Sequence, residues 1–280
     1  MRTISVNSVA EAVKEACIEM NYFIDLRVRE CFEEALKKET SPLGIAIIED
    51  LITNAEFASR YVAPLCQDTG MVIAFVKIGQ EIYIEGGLLE EAIQEGIRNG
   101  YREGFLRKSV VKDPLLRGNT NDNTPGIIYY ELVAGSVLEI EIAAKGFGSE
   151  NMSKSKMLKP SDGIEGVASF VLETIISAGS NPCPPIIVGV GIGGTLDKAA
   201  QIAKHALLRP VGDNNTLPHI AELEKRLLAE INGSGIGPQG LGGITTALAV
   251  HVETYPTHIA GLPVVVNINC HASRHKKLVF

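Results

Sequence analysis

Short β-branched runs, separated by segments of helical period, restrict the folds open to this chain more than any other feature of its sequence. Val72–Ile78, Ile82–Ile84, Ile186–Val190 and Val264–Ile268 read as strands, since branched side chains suit the pleated, half-buried surface of a sheet. Elsewhere apolar residues recur every three to four positions. Ser8-x-x-Glu11 is a capping box followed by Val9, Val13, Ala16 and Met20 on one face, so a helix is predicted to begin at Ser8. The pattern returns at Val28, Cys31, Phe32, Ala35 and Leu36. It returns again after Ser41-Pro42, where proline suits a first helical turn and Ile45, Ile48 and Ile52 line one side. Leu88–Tyr101, Ile164–Ile176, Leu196–Leu208 and Pro218–Ile231 are further predicted helices. Ile127–Val133 and Val137–Ala144, joined by Ala134-Gly135-Ser136, are predicted to pair as an antiparallel hairpin, with Leu138, Ile140 and Ile142 opposite Glu139 and Glu141. The expected architecture is mixed α/β (α+β): a helical region over residues 1–60, then a mixed sheet with flanking helices. No repeat, heptad array or linker breaks the series, so one domain over 1–280 is expected.

With 28 Gly, 13 Pro and 45% hydrophobic residues in 280, the chain is neither disordered nor collagen-like. Lys+Arg 26 against Asp+Glu 33 gives a net charge of −7, which argues against a nucleic-acid partner. An acidic small substrate would need a local pocket of Arg, Lys or backbone amides. No apolar stretch approaches the roughly 20 residues that span a bilayer, and Met1-Arg2-Thr3-Ile4-Ser5 is no signal core. The expected compartment is the cytoplasm, with no membrane partner.

Five cysteines without a C-x-x-C pair do not form a secreted disulfide framework. Cys17 and Cys31 sit inside helical patterns as small buried hydrophobes. The other three lie in polar loops beside predicted elements: Cys66 in Pro64-Leu-Cys-Gln-Asp-Thr-Gly70, Cys183 in Asn181-Pro-Cys-Pro-Pro185 and Cys270 in Asn267-Ile-Asn-Cys-His-Ala-Ser-Arg274. Their wide intervals match no compact zinc-finger or ferredoxin spacing. Three readings stay open on the residues alone: ordinary buried thiols, a three-thiolate zinc site, or one iron–sulfur cluster with an iron free to act as a Lewis acid.

Seven strings in order carry a resemblance over nearly the whole chain: Pro64–Gly70, Gly118-Asn-Thr-Asn-Asp-Asn-Thr-Pro125, Ala144-Lys-Gly-Phe-Gly-Ser-Glu-Asn-Met-Ser153, Asn181–Pro185, Gly189-Val-Gly-Ile-Gly-Gly194, Gly235-Ile-Gly-Pro-Gln-Gly-Leu-Gly-Gly243 and Asn269–Arg274. Together they resemble the class I, iron–sulfur fumarate hydratases. Their order and spacing fit the alpha subunit of the two-subunit form, or its relative, the alpha subunit of L(+)-tartrate dehydratase. The resemblance implies a hydro-lyase interconverting fumarate and (S)-malate, a small dicarboxylate substrate and a [4Fe-4S] cluster on Cys66, Cys183 and Cys270. It also implies Asp68 as the acid/base carboxylate and His258, in Tyr255-Pro-Thr-His-Ile-Ala-Gly261, as a further active-site residue. Gln67 matches a substrate-contacting amide, Arg107 an arginine that holds a substrate carboxylate, and Gly146 a glycine whose amide faces substrate. Phe147 departs from the Lys-Gly-Gly-Gly-Ser of many relatives. Single-chain relatives carry a second domain with the remaining substrate-binding cations and a hydroxyl-bearing acid/base residue, so a separate beta subunit and a higher oligomer are expected.

Three simpler readings stand beside these. Asp68 could do no more than cap its own turn, and Arg107 could be a solvated helix end beside Arg102 and Lys108. His271, His275, Lys276 and Lys277 read as an exposed basic tail, with part of a subunit contact as the alternative. Gly189–Gly194 also fits G-x-G-x-x-G, the mark of a dinucleotide-binding oxidoreductase, but no strand ending in an acidic residue follows about 20 positions on. A zinc-stabilised, non-catalytic interaction protein is the remaining alternative.

Overall fold

The computed structural model describes residues 2–280. The first half of the chain runs β1 (Arg2–Ser5), α1 (Val6–Tyr22), α2 (Leu26–Lys38), α3 (Pro42–Tyr61), β2 (Met71–Gly79), β3 (Ile82–Glu85), α4 (Leu89–Glu103), β4 (Ile127–Val133) and β5 (Leu138–Lys145). There follow α5 (Phe147–Glu150), β6 (Lys154–Leu158), α6 (Gly163–Ala178), β7 (Ile186–Gly193), α7 (Leu196–Ala206), α8 (Pro218–Asn232), β8 (Ala247–Tyr255), β9 (Leu262–Asn269) and β10 (His275–Val279). This is the mixed α/β class that the patterning predicts. The described residues divide into two compact units, one of residues 2–24, 55–147 and 274–280, the other of residues 25–54 and 148–273.

In the first unit a four-stranded sheet has the order β10-β5-β2-β4, beside a parallel β1-β3 pair. Val9, Val13 and Met20 of α1 and Ile93 and Ile97 of α4 join Val72, Val76, Ile140 and Ile142 in one core. The predicted hairpin does not form. β2 lies between its two strands, parallel to β4 (Ile73 opposite Ile127) and antiparallel to β5 (Ile73 opposite Ala143). Val72–Val76 is buried throughout, so its backbone groups need a partner on both sides, whereas Ile127, Tyr130 and Leu132 of β4 are exposed as befits an edge. The expected turn bonds instead to the segment between β2 and β3, with Glu81 N–H donating to Gly135 O. The first helix also starts three residues early: Ser5 is its cap, accepting from Asn7 N–H, and Ser8 Oγ donates to Ser5 O. The supposed basic tail holds β10, paired with β5, and Lys277 meets Glu139 at 2.8 Å.

In the second unit the sheet order is β6-β9-β7-β8. Val188, Val190, Val264, Val266 and Ile268 face α6 and α8, whereas Val265 packs with Ala199 and Ala203 of α7. Gly189 and Gly191 lie within β7 under α7, where a β-carbon would stand 2.2 Å from Ala203 O and 2.1 Å from Ala199 O. The first two glycines of the supposed dinucleotide fingerprint thus serve close helix–strand packing within the strand, and only Gly194, φ 68°, lies past its end.

Glu39, only 6% exposed, ties the end of α2 to the glycine-rich segment before β8. Its Oε1 accepts from Thr40 and Ser41 N–H, both at 3.0 Å, and its Oε2 from Ile244 N–H at 2.8 Å and Thr245 N–H at 3.2 Å. Burial pushes its pKa up, but these backbone donors outweigh burial and hold it below the ordinary carboxylate value. A lowered folded-state pKa contributes stability that is complete above the unfolded value, about 4.3, and is lost as pH falls through the folded value. Glu39→Gln, which turns one acceptor into a donor facing N–H groups, is expected to cost about 1–3 kcal/mol at pH 7 in urea unfolding. The gap from wild type should shrink below pH 4; a gap unchanged at low pH would contradict the ionised-acceptor account.

Candidate active site

In the first unit the loop between α3 and β2 presents Cys66, Gln67, Asp68 and Thr69. Asp68 accepts two backbone hydrogen bonds, from Gly70 N–H to Oδ1 at 3.1 Å and from Phe147 N–H to Oδ2 at 2.8 Å. The first is the local turn bond that a capping aspartate would make; the second reaches 79 positions along the chain. Beneath it Arg274, 2% exposed, donates from one terminal nitrogen to Asp68 O at 2.7 Å and to Asn21 Oδ1 at 3.0 Å. Its Nε is buried without a hydrogen-bond partner. Tyr101 Oη donates toward Thr69 O at 2.6 Å and Gly70 O at 3.0 Å, and burial pushes its pKa well up, keeping it a neutral donor. The Asp68 loop is therefore gripped from below while its carboxylate stays half-exposed.

Gly146 sits beside that carboxylate. A β-carbon there would stand 3.3 Å from Asp68 Oδ2 and 3.4 Å from an Arg274 terminal nitrogen, so only glycine leaves the approach uncrowded. Arg107 is tied to the same loop by its backbone: its N–H donates to Thr69 Oγ1 at 2.9 Å, and that hydroxyl donates to Arg107 O at 3.3 Å. Its side chain is exposed, as is that of Gln67. Cys66, Gln67, Asp68, Arg107 and Gly146 thus belong to one unit, and the first four share or adjoin one loop.

In the second unit Cys183 and Cys270 stand on neighbouring loops. Cys183, after α6, is exposed, and Cys270, at the end of β9, is half-buried. The Cys183 carbonyl accepts from His271 Nδ1–H at 3.0 Å and His271 N–H at 3.4 Å. His271 is therefore bound to the cysteine loop and is no part of a solvated tail. His258 lies between β8 and β9, exposed, with Ala260 N–H donating to its Nδ1 at 3.2 Å.

None of the five cysteines is joined in a disulfide. Cys17 is sealed in the core and burial pushes its pKa far up, which disfavours a thiolate. Cys66, Cys183 and Cys270 keep some exposure on polar loops, the character expected of thiolate donors. Within neither unit, among the described residues, do three His, Cys, Asp or Glu side chains stand together as a metal cradle. No helix among those residues is long and apolar enough to cross a membrane.

Asn21, Tyr101, Gln239 and Arg274 escaped the sequence reading. Arg274 and Gln239 lie inside strings that carried the resemblance, but only the fold shows that one supports Asp68 and the other contacts the Cys183 loop.

Residues 10–279 match the family model described as fumarate hydratase (Fumerase). A Methanocaldococcus jannaschii protein named "Putative L(+)-tartrate dehydratase subunit alpha" is 47% identical over 272 residues, 95% of this chain and 94% of that protein. L(+)-tartrate dehydratase subunit alpha of Escherichia coli K12 is 36% identical over 244 residues, 86% of this chain and 80% of the relative. The protein of that name from Shigella sonnei matches to the same extent. With the family model spanning almost the full sequence and relatives this similar over most of their own length, the chain belongs to the fumarate hydratase (Fumerase) family.

Proposed function

We propose that this chain is the alpha subunit of a hydro-lyase that reversibly hydrates fumarate to (S)-malate, with an active site completed by a separate beta subunit. One observation carries the chemical part of the reading: the Asp68 carboxylate is held by two backbone N–H groups while Gly146 leaves space beside it. A carboxylate so fixed is suited to general acid/base work. Family membership and the subunit names of the relatives support the rest.

The donor set of reduced, partly exposed loop thiols fits a [4Fe-4S] cluster, which Cys66, Cys183 and Cys270 would hold. When bound, such a cluster supplies Lewis acidity that makes the substrate hydroxyl a better leaving group. The chain's own residues do the remaining work. In the dehydration direction Asp68 accepts the proton from the carbon next to the far carboxylate, while hydroxide leaves the neighbouring carbon; hydration returns that proton. The abstraction builds negative charge, which preplaced cations and amides stabilise. Arg107 offers a planar fork to a substrate carboxylate, Gln67 an amide and Gly146 a backbone N–H, and His258 is the further active-site residue that family membership implies.

The names of the relatives favour a second reading of the substrate, L(+)-tartrate. Reconstituted anaerobically with iron and sulfide, the chain alone is expected to show little hydratase activity, and addition of its beta subunit to restore turnover. Full turnover by the chain alone would refute the shared site. In the assembled enzyme kcat/KM for (S)-malate is expected to exceed that for L(+)-tartrate; the reverse order would replace the substrate assignment with the second reading.

A further inference from the structure

Cys183 has φ 55°, in the left-handed region that a residue with a β-carbon occupies only where its surroundings impose it. Hydrogen bonds from two other segments impose it here. Cys183 N–H donates to Ser180 O at 3.0 Å within its own loop, while the Cys183 carbonyl accepts from both His271 Nδ1–H and His271 N–H. The next carbonyl, that of Pro184, accepts from Gln239 N–H at 2.8 Å and from Gln239 Nε2–H at 2.7 Å. Gln239 is itself left-handed, with φ 52°, and its Nε2 lies 3.2 Å from His271 Nδ1. Three segments far apart in sequence thus meet on two consecutive carbonyls, and a non-glycine residue in each of two of them is held in a strained conformation.

We infer that Gln239 and His271 are positioning residues that hold the Cys183 and Cys270 loops in one arrangement before any metal arrives. The inference rests on the reading that these cysteines ligate the cluster. His271 follows Cys270 directly, so its bonds to the Cys183 carbonyl couple the two loops across 88 positions. Gln239 holds the adjoining carbonyl and prevents the Cys183 loop from turning over to a relaxed conformation. Strain in a loop carrying an exposed thiol marks a position whose geometry serves a task. Fixing donors in advance removes the ordering that metal capture would otherwise demand.

The test uses the full chain with its beta subunit, loaded anaerobically, and follows iron and sulfide loss to a chelator. His271→Leu and Gln239→Leu are expected to release iron about 10–100-fold faster than wild type, as loss of outer partners of metal ligands typically does. His271→Asn, which keeps an N–H donor near the place of Nδ1, is expected to stay within a few-fold of wild type. Should His271→Leu fail to fold, Gln239→Leu with native circular dichroism decides. Wild-type iron retention by folded leucine variants would overturn the inference, as would equal loss from His271→Asn and His271→Leu. If wild type itself takes up no iron and sulfide, the cluster reading falls; if wild type loads and only Cys183→Ser fails, the positioning role alone falls.

Discussion

Cys66→Ser, Cys183→Ser and Cys270→Ser are each expected to abolish turnover and to lose the iron and acid-labile sulfide that wild type retains, whereas Cys17→Ser keeps both. Three of the four side chains are partly exposed on polar loops and the fourth is buried in the α1–α4 core. A serine hydroxyl resists deprotonation and is a hard ligand, a poor substitute where iron prefers thiolate. Loss of a direct ligand should therefore exceed the roughly 10–100-fold penalty usual for an outer partner. Cys17→Ser controls for general damage: a hydroxyl in the core lowers stability but touches no proposed ligand. Metal and sulfide analysis beside circular dichroism separates these effects. Iron retained by any of the three loop variants at the wild-type level would remove that cysteine from the ligand set. Zinc without sulfide in wild type would put a three-thiolate zinc site in its place.

Much of this was legible in the sequence because it depends on local pattern. The α1 face of Val9, Val13, Ala16 and Met20 is buried as its spacing implies, and alternation in β5 buries Leu138, Ile140 and Ile142. The loop positions of Cys66, Asp68, Cys183 and Cys270 beside apolar elements were legible too. Apart from the local choice of Ser5 over Ser8 as the cap of α1, the failures share a cause: each depended on a partner remote in sequence. Ile127–Val133 and Leu138–Lys145 are well-formed strands joined by a turn, yet β2, the more apolar run, takes the place between them. His275–Val279 looks like a charged tail until β5 supplies an edge and Glu139 a partner for Lys277. The support beneath Asp68 is illegible for the same reason, since Asn21, Tyr101 and Arg274 reach it from three distant parts of the sequence.

That support leads to the second large effect. Asp68→Asn is expected to lower kcat by about 10²–10⁴-fold, the range that a positioned acid/base group contributes, while iron and sulfide stay at the wild-type level. In the wild type both carboxylate oxygens accept from backbone N–H groups, Gly70 on one and Phe147 on the other. The amide of asparagine must point its NH₂ at one of those donors, so one hydrogen bond is lost and two donors face each other. A stability loss of about 1–3 kcal/mol should accompany the catalytic loss. Gly146→Ala separates the two contributions. It keeps the carboxylate but crowds Asp68 Oδ2 at 3.3 Å; KM is expected to rise as the approach narrows, with kcat falling far less than in Asp68→Asn. The pair distinguishes proton transfer from loop capping, because a capping role predicts a loss of stability with kcat of the folded enzyme little changed. Wild-type kcat in Asp68→Asn, with only its melting temperature lowered, would leave Asp68 as a cap and require the proton acceptor to be sought elsewhere. Retained iron is decisive on the other side: it shows that the lost turnover comes from the missing carboxylate and not from an emptied metal site two residues away.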